Sequence, residues 1–206
     1  MNAVFLEAND DPITKAVHDA RRKALTSMPC YPERDLFGRD AYYSDVQKAK
    51  AAAGTIGLFS GMGHGGPAEF TGQWSSPIYD LQDSKRVNYA VVGAIVHLYS
   101  CDCAQNLGPY LVRLGAKAFV GYLNPVIVPN VQSVVDDFVR VAAVIDRSIL
   151  YGDPHATAKR KADAESNVVE TRLRASAAAT PRDLASFRMN HSSMVGPWSN
   201  SRYGVY

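Results

Sequence analysis

One histidine stands among the glycines of GLFSGMGHGGPAEFTGQW, residues Gly57 to Trp74, where five of the ten positions from Gly57 to Gly66 are glycine. A turn uses glycine's conformational freedom but has no need of an imidazole. His64 changes charge near neutral pH and can take or give a proton there. Further along, the apolar run VVGAIVHLYSC (Val91 to Cys101) ends on a thiol, and Cys103 follows it. A thiol between a strand end and a helix N-terminus, with an imidazole nearby, is placed to favour the thiolate. A Cys/His pair within hydrogen-bond or one-water reach is the minimum for nucleophilic acyl transfer. Gly65 and Gly66, having no side chains, let another backbone approach and turn an N–H towards a developing oxyanion.

Blander readings stand beside this one. A histidine in a glycine turn is often merely exposed, and a cysteine ending a buried strand is often just a small hydrophobe. The CDC triplet (Cys101 to Cys103) could be half of a metal site with Cys30, His64 or His97, although no second ligand pair at zinc-type spacing accompanies it. The glycines lack the lysine-serine/threonine ending of a phosphate-binding loop, and no dinucleotide-type helix with a distant acid follows them.

The elements around these residues alternate. AVFLEA (Ala3 to Ala8) reads as a buried strand, and NDDP caps a helix over Ile13 to Leu25. MPCYPERDLFGRD reads as a loop, Ser44 to Gly54 as a helix closing on glycine, and Thr55 to Gly61 as a strand running into the glycine cluster. A mixed stretch to about Tyr89 has helical potential near Ser84 to Val92. Val91 to Cys101 is the strongest strand, followed by a helix over Ala104 to Gly115 and a strand over Ala116 to Tyr122. Two long helices are expected over Val131 to Leu150 and Pro154 to Ala179, and the end of the chain reads as a polar tail without periodicity. Strands separated by helices predict a three-layer α/β/α sandwich with a mostly parallel sheet. Reactive crevices in such sheets lie beyond the carboxyl ends of the strands, so His64 and Cys101 fall on one edge.

The 206 residues suit one domain, 1–178, with a segment 179–206 that packs on it or on a partner. Lys+Arg 22 against Asp+Glu 20 gives a net charge of +2, which points to neither nucleic acid nor an anionic membrane as partner. The basic clusters at Lys159 to Lys161 and Arg172 to Arg174 fit a solvated helix face. The first residues lack the pattern of a signal peptide, and no window carries the roughly eighteen apolar residues of a membrane span. Three cysteines without a secretion signal suggest reduced thiols and a cytoplasmic location.

A strand ending in Gly-His-Gly, followed by a hydrophobic strand ending in Ser-Cys, resembles the caspase-like cysteine peptidases. VHLYSCDCAQNLGPYLVRLGAKAFVGY is the closest segment, in the manner of the bacterial CHAT-type, metacaspase and gingipain members, and the resemblance covers roughly residues 1–175. It implies a caspase-hemoglobinase-like fold, a protein or peptide substrate, no cofactor and no metal. It implies His64 as general base and acid, Cys101 as nucleophile, and the backbone amides of Gly65 and Cys101 as the oxyanion hole. Cys103 is the rival nucleophile, since a two-residue register change exchanges the thiols. Asp102, Asp80 and Asp83 lie where they could line a pocket for a basic or small residue before the scissile bond, with Tyr122 as a wall; each acid could equally be a solvated surface group. Two further readings remain: a non-catalytic binding or scaffold module of the same fold, and a metal- or redox-linked binding protein built on Cys101 and Cys103. A regulatory partner protein or a homo-oligomer is compatible with each.

Overall fold

The computed structural model describes residues 2–26, 34–37, 41–83 and 91–198. The chain runs through β1 (Ala3–Glu7), α1 (Pro12–Leu25), β2 (Arg34–Phe37), α2 (Tyr43–Ala53), β3 (Leu58–Met62), β4 (Glu69–Thr71), β5 (Pro77–Asp80), β6 (Ile95–Tyr99), α3 (Leu107–Arg113), β7 (Ala118–Tyr122), α4 (Gln132–Leu150), α5 (His155–Ala175), α6 (Pro181–Ser193) and β8 (Met194–Trp198). Six strands form one sheet in the order β2-β1-β3-β6-β7-β8, parallel except for β8. β4 and β5 make a separate antiparallel hairpin after the glycine cluster.

Strand periodicity of two divides the core. Phe5, Leu58, Met62, Ile95, Tyr99 and Val120 face one layer, where α1, α4, α5 and α6 supply residues such as Val17, Val139, Val169 and Phe187. Val4, Leu6, Phe59, Val96, Leu98 and Phe119 face the other, against Val46 of α2, Leu111 of α3 and Ile78 of the hairpin. Both faces are covered, so the fold is α/β with a layering compatible with an α/β/α sandwich. Among the described residues, no helix is long and apolar enough to cross a membrane.

Residues 180–198 form α6 and β8, where the sequence reads as a tail without periodicity. Thr180 caps α6, its hydroxyl accepting from the Asp183 amide at 3.2 Å while Asp183 Oδ2 accepts from the Thr180 amide at 2.9 Å. β8 then pairs antiparallel with β7. The strand β2 likewise lies inside the Pro-rich stretch read as a loop, and β4–β5 inside the mixed stretch. The helix expected over Ser84 to Val92 falls largely outside the described residues, as does Cys30.

A buried polar network binds the layers. Arg21 of α1 is wholly buried, with Nη1 3.0 Å from Glu7 Oε1 and Nη2 3.3 Å from Asp146 Oδ2. Its guanidinium lies over the Phe5 ring, 4.1 Å from the centroid. His97 Nδ1 lies 2.8 Å from Asp146 Oδ1, and His18 pairs with Glu7. These contacts join β1, α1, β6 and α4.

Candidate active site

The sheet register brings the two chemical residues together. Met62 pairs with Tyr99 on the adjacent parallel strands β3 and β6, so His64 and Cys101 each stand two residues past that pair. Neighbouring strands are about 4.8 Å apart. The Gly63 amide donates to the Tyr99 carbonyl at 3.4 Å, extending the pairing towards the loops. His64 and Cys101 consequently line one cavity of about 150 Å³, with Ile13, Val17, Met62, Tyr99, Val126 and Val128 among its walls.

His64 is held by a carboxylate that the sequence reading used only as a helix cap. Asp11 Oδ1 accepts from the amides of Ile13 and Thr14 at 2.7 and 2.9 Å, which caps α1. Its other oxygen, Oδ2, lies 2.7 Å from His64 Nε2. Burial pushes the Asp11 carboxyl up, but the His64 ring and the Thr14 and Ile13 amides outweigh it and hold the carboxyl below its ordinary range. An ionised carboxylate only accepts, so Nε2 carries the proton and Nδ1 of a neutral ring is left to receive one. The His64 side chain is 51% exposed, open to an incoming ligand.

Cys101 sits half-buried at the cavity, its Sγ accepting from the Val126 amide at 3.3 Å. Burial pushes its thiol up; the Val126 hydrogen bond pulls the other way and the Asp102 charge adds to the rise. The resting residue is therefore a thiol at neutral pH, and its proton must be removed when it reacts. Cys103 is fully buried in the opposite core layer, its Sγ 3.2 Å from the Ser100 carbonyl, and burial drives its thiol up to about 12. In a straight strand the two cysteines would share a face. Asp102, with φ of 53°, takes the left-handed conformation between them and breaks that alternation.

Among the described residues, neither Gly65 nor Cys101 donates its N–H to a backbone carbonyl. Gly65 is sterically required: a Cβ there would lie 2.3 Å from Ser100 Oγ and 2.7 Å from the Glu69 carbonyl oxygen. Gly66 has open space around it.

The expected pocket residues lie elsewhere. Asp80 Oδ1 accepts from the Gln82 amide in the turn after β5, where Asp83 also sits, and Asp102 Oδ1 accepts from Gln105 Nε2. Tyr122 is buried behind Tyr99, the rings edge-on with centroids 5.3 Å apart. None of these four lines the cavity. Tyr122 is shut out because Tyr99, one strand nearer the site, occupies the wall it was expected to form. His97, offered as a metal ligand, is wholly buried against Asp146, and among the described residues no group of three or more His, Cys, Asp or Glu is arranged to hold a metal.

Sequence reasoning missed Asp11, Val126, Val128 and Asn190. Asn190 of α6 is buried, and its amide bridges Ile127: Oδ1 accepts from the Ile127 N–H at 3.0 Å while Nδ2 donates to the Ile127 carbonyl at 2.7 Å. This fixes the segment whose Val126 amide contacts Cys101. Asp11 was legible in part, since NDDP announces a cap, but its second oxygen's role needs β3 alongside β1.

Compared with family models, curated proteins and solved structures, the chain matches none.

Proposed function

We propose that this protein is a cysteine endopeptidase in which Cys101 attacks the peptide carbonyl and His64 carries the proton. The observation that carries the reading is the shared cavity: a free thiol and a carboxylate-held imidazole line one hollow beyond the ends of adjacent parallel strands. The resemblance of its His-Gly and Ser-Cys strand ends to caspase-like peptidases supports the same assignment and a fold of that type.

Each residue has a role in the chemistry. His64 Nδ1 takes the thiol proton as Sγ bonds to the carbonyl carbon, and Asp11 steadies the imidazolium that results. The Gly65 and Cys101 amides donate to the oxyanion. His64 returns the proton to the departing amine, leaving a thioester. Water, deprotonated by His64, then hydrolyses that thioester and restores the thiol.

A second reading, a non-catalytic binding module of the same fold, draws on the direction of the Cys101 shift, since burial holds the thiol protonated. Cleavage of a peptide library by wild type, Cys101→Ala, Cys103→Ala and His64→Ala separates the two. Cys101→Ala should abolish cleavage, His64→Ala should lower it by about 10²–10⁴-fold, and Cys103→Ala should retain it if folded. Full activity in Cys101→Ala would overturn the nucleophile, and no cleavage by any form favours the binding module. Because Cys101 is shifted up, iodoacetamide labelling should keep accelerating through the ordinary thiol value of about 8.5 instead of levelling off below neutrality.

A further inference from the structure

The cavity between His64 and Cys101 selects a side-chain chemistry. Val17, Met62 and Tyr99 are buried around it, while Val126 and Val128 are half-buried on its walls. Ile13, also in the lining, is 46% exposed, an apolar side chain left in contact with solvent. At about 150 Å³ the space matches apolar cavities that take up a benzene-sized guest.

Among the described lining residues there is no carboxylate, lysine or arginine. The nearest strand carboxylate, Glu7, is in register with Met62 but is engaged by Arg21 and His18. Asp11 has one oxygen on the first turn of α1 and the other on His64. A basic side chain entering this space would lose water without meeting a carboxylate, since the polar groups of the lining include the Thr14 and Ser100 hydroxyls, the Cys101 thiol and the His64 ring, which the chemistry itself uses. An alanine would leave most of the space empty.

We propose that the cavity receives a medium-sized apolar side chain, that of leucine, methionine or phenylalanine, from the residue preceding the scissile bond. This rests on the peptidase reading of the same site. It replaces the acidic pocket suggested by the sequence with one whose walls come from β3, β6, α1 and the segment after β7.

Fluorogenic peptides varied at that one position test it, hydrolysed by the full chain beside Cys101→Ala. Leu, Met and Phe peptides should show kcat/KM at least about 100-fold above Arg, Lys and Asp peptides, and about 10-fold above Ala. Val128→Asp, which places a carboxylate on the wall, should move the preference towards Arg and Lys. Cys101-dependent cleavage that favours Arg, Lys or Asp in the wild type would overturn the apolar pocket and leave the peptidase standing. Absence of Cys101-dependent cleavage across all peptides would overturn the peptidase itself.

Discussion

Gly65 and Gly66 are adjacent glycines with opposite requirements, which separates a steric demand from mere permissiveness. At Gly65 any Cβ collides with Ser100 Oγ and the Glu69 carbonyl, whereas at Gly66 it meets nothing within 4 Å. Gly65→Ala should therefore destabilise the fold by about 1–3 kcal/mol and misplace the amide beside His64. Gly66→Ala should stay within about 0.5 kcal/mol of wild type. Chemical denaturation of both variants checks the contrast; equal costs would mean that the loop yields at Gly65. The cysteines show the same dependence on local geometry. One left-handed residue, Asp102, sends Cys101 to the cavity and Cys103 to the opposite layer.

At the level of elements, the site depends on a helix that periodicity alone did not bring out. α6 reaches back through Asn190 to clamp Ile127, next to the Val126 amide that contacts Cys101. Its start was written in the sequence as Thr180-Pro181-Arg182-Asp183, a cap with proline at the first turn. Its weak amphipathic pattern concealed the rest. Asn190→Ala removes both bonds to Ile127 and should cost about 1–3 kcal/mol. It should also speed hydrogen exchange at the Val126 and Ile127 amides more than at β1 amides. Uniformly faster exchange would mean global loosening and no specific clamp.

For the whole molecule, the network of Glu7, His18, Arg21, His97 and Asp146 sets a condition on stability. Burial pushes the Asp146 carboxyl up, but the charges of His97 and Arg21 outweigh it and hold it below its ordinary value. A carboxyl lowered on folding stabilises the protein above its unfolded value of about 3.9, and that contribution is lost as pH falls through the lower folded value. Asp146→Asn leaves the buried Arg21 with less compensation and should cost about 3–5 kcal/mol near neutrality. The gap from wild type should narrow as pH drops below 4; denaturant titrations across that range measure it. A gap independent of pH would remove Asp146 from the account of acid stability.

The sequence by itself determined the alternation of strands and helices, the parallel sheet and the placing of His64 and Cys101 beyond strand ends. These follow from apolar periodicity, caps and glycine stops, which are properties of neighbouring residues. It also carried both candidate thiols, the resemblance pointing to Cys101 with Cys103 as its rival. Only the tertiary structure separated them, setting Cys101 on the cavity and Cys103 in the opposite core layer through the backbone turn at Asp102, and only it paired His64 with Asp11 across the β1–β3 edge. The cavity walls were equally out of reach of spacing rules, because Ile13, Met62, Tyr99 and Val126 become neighbours only when α1, β3, β6 and the segment after β7 pack. Local pattern fixes which face of an element is apolar; which side chains meet across elements is settled by the register of the sheet and the helices laid over it.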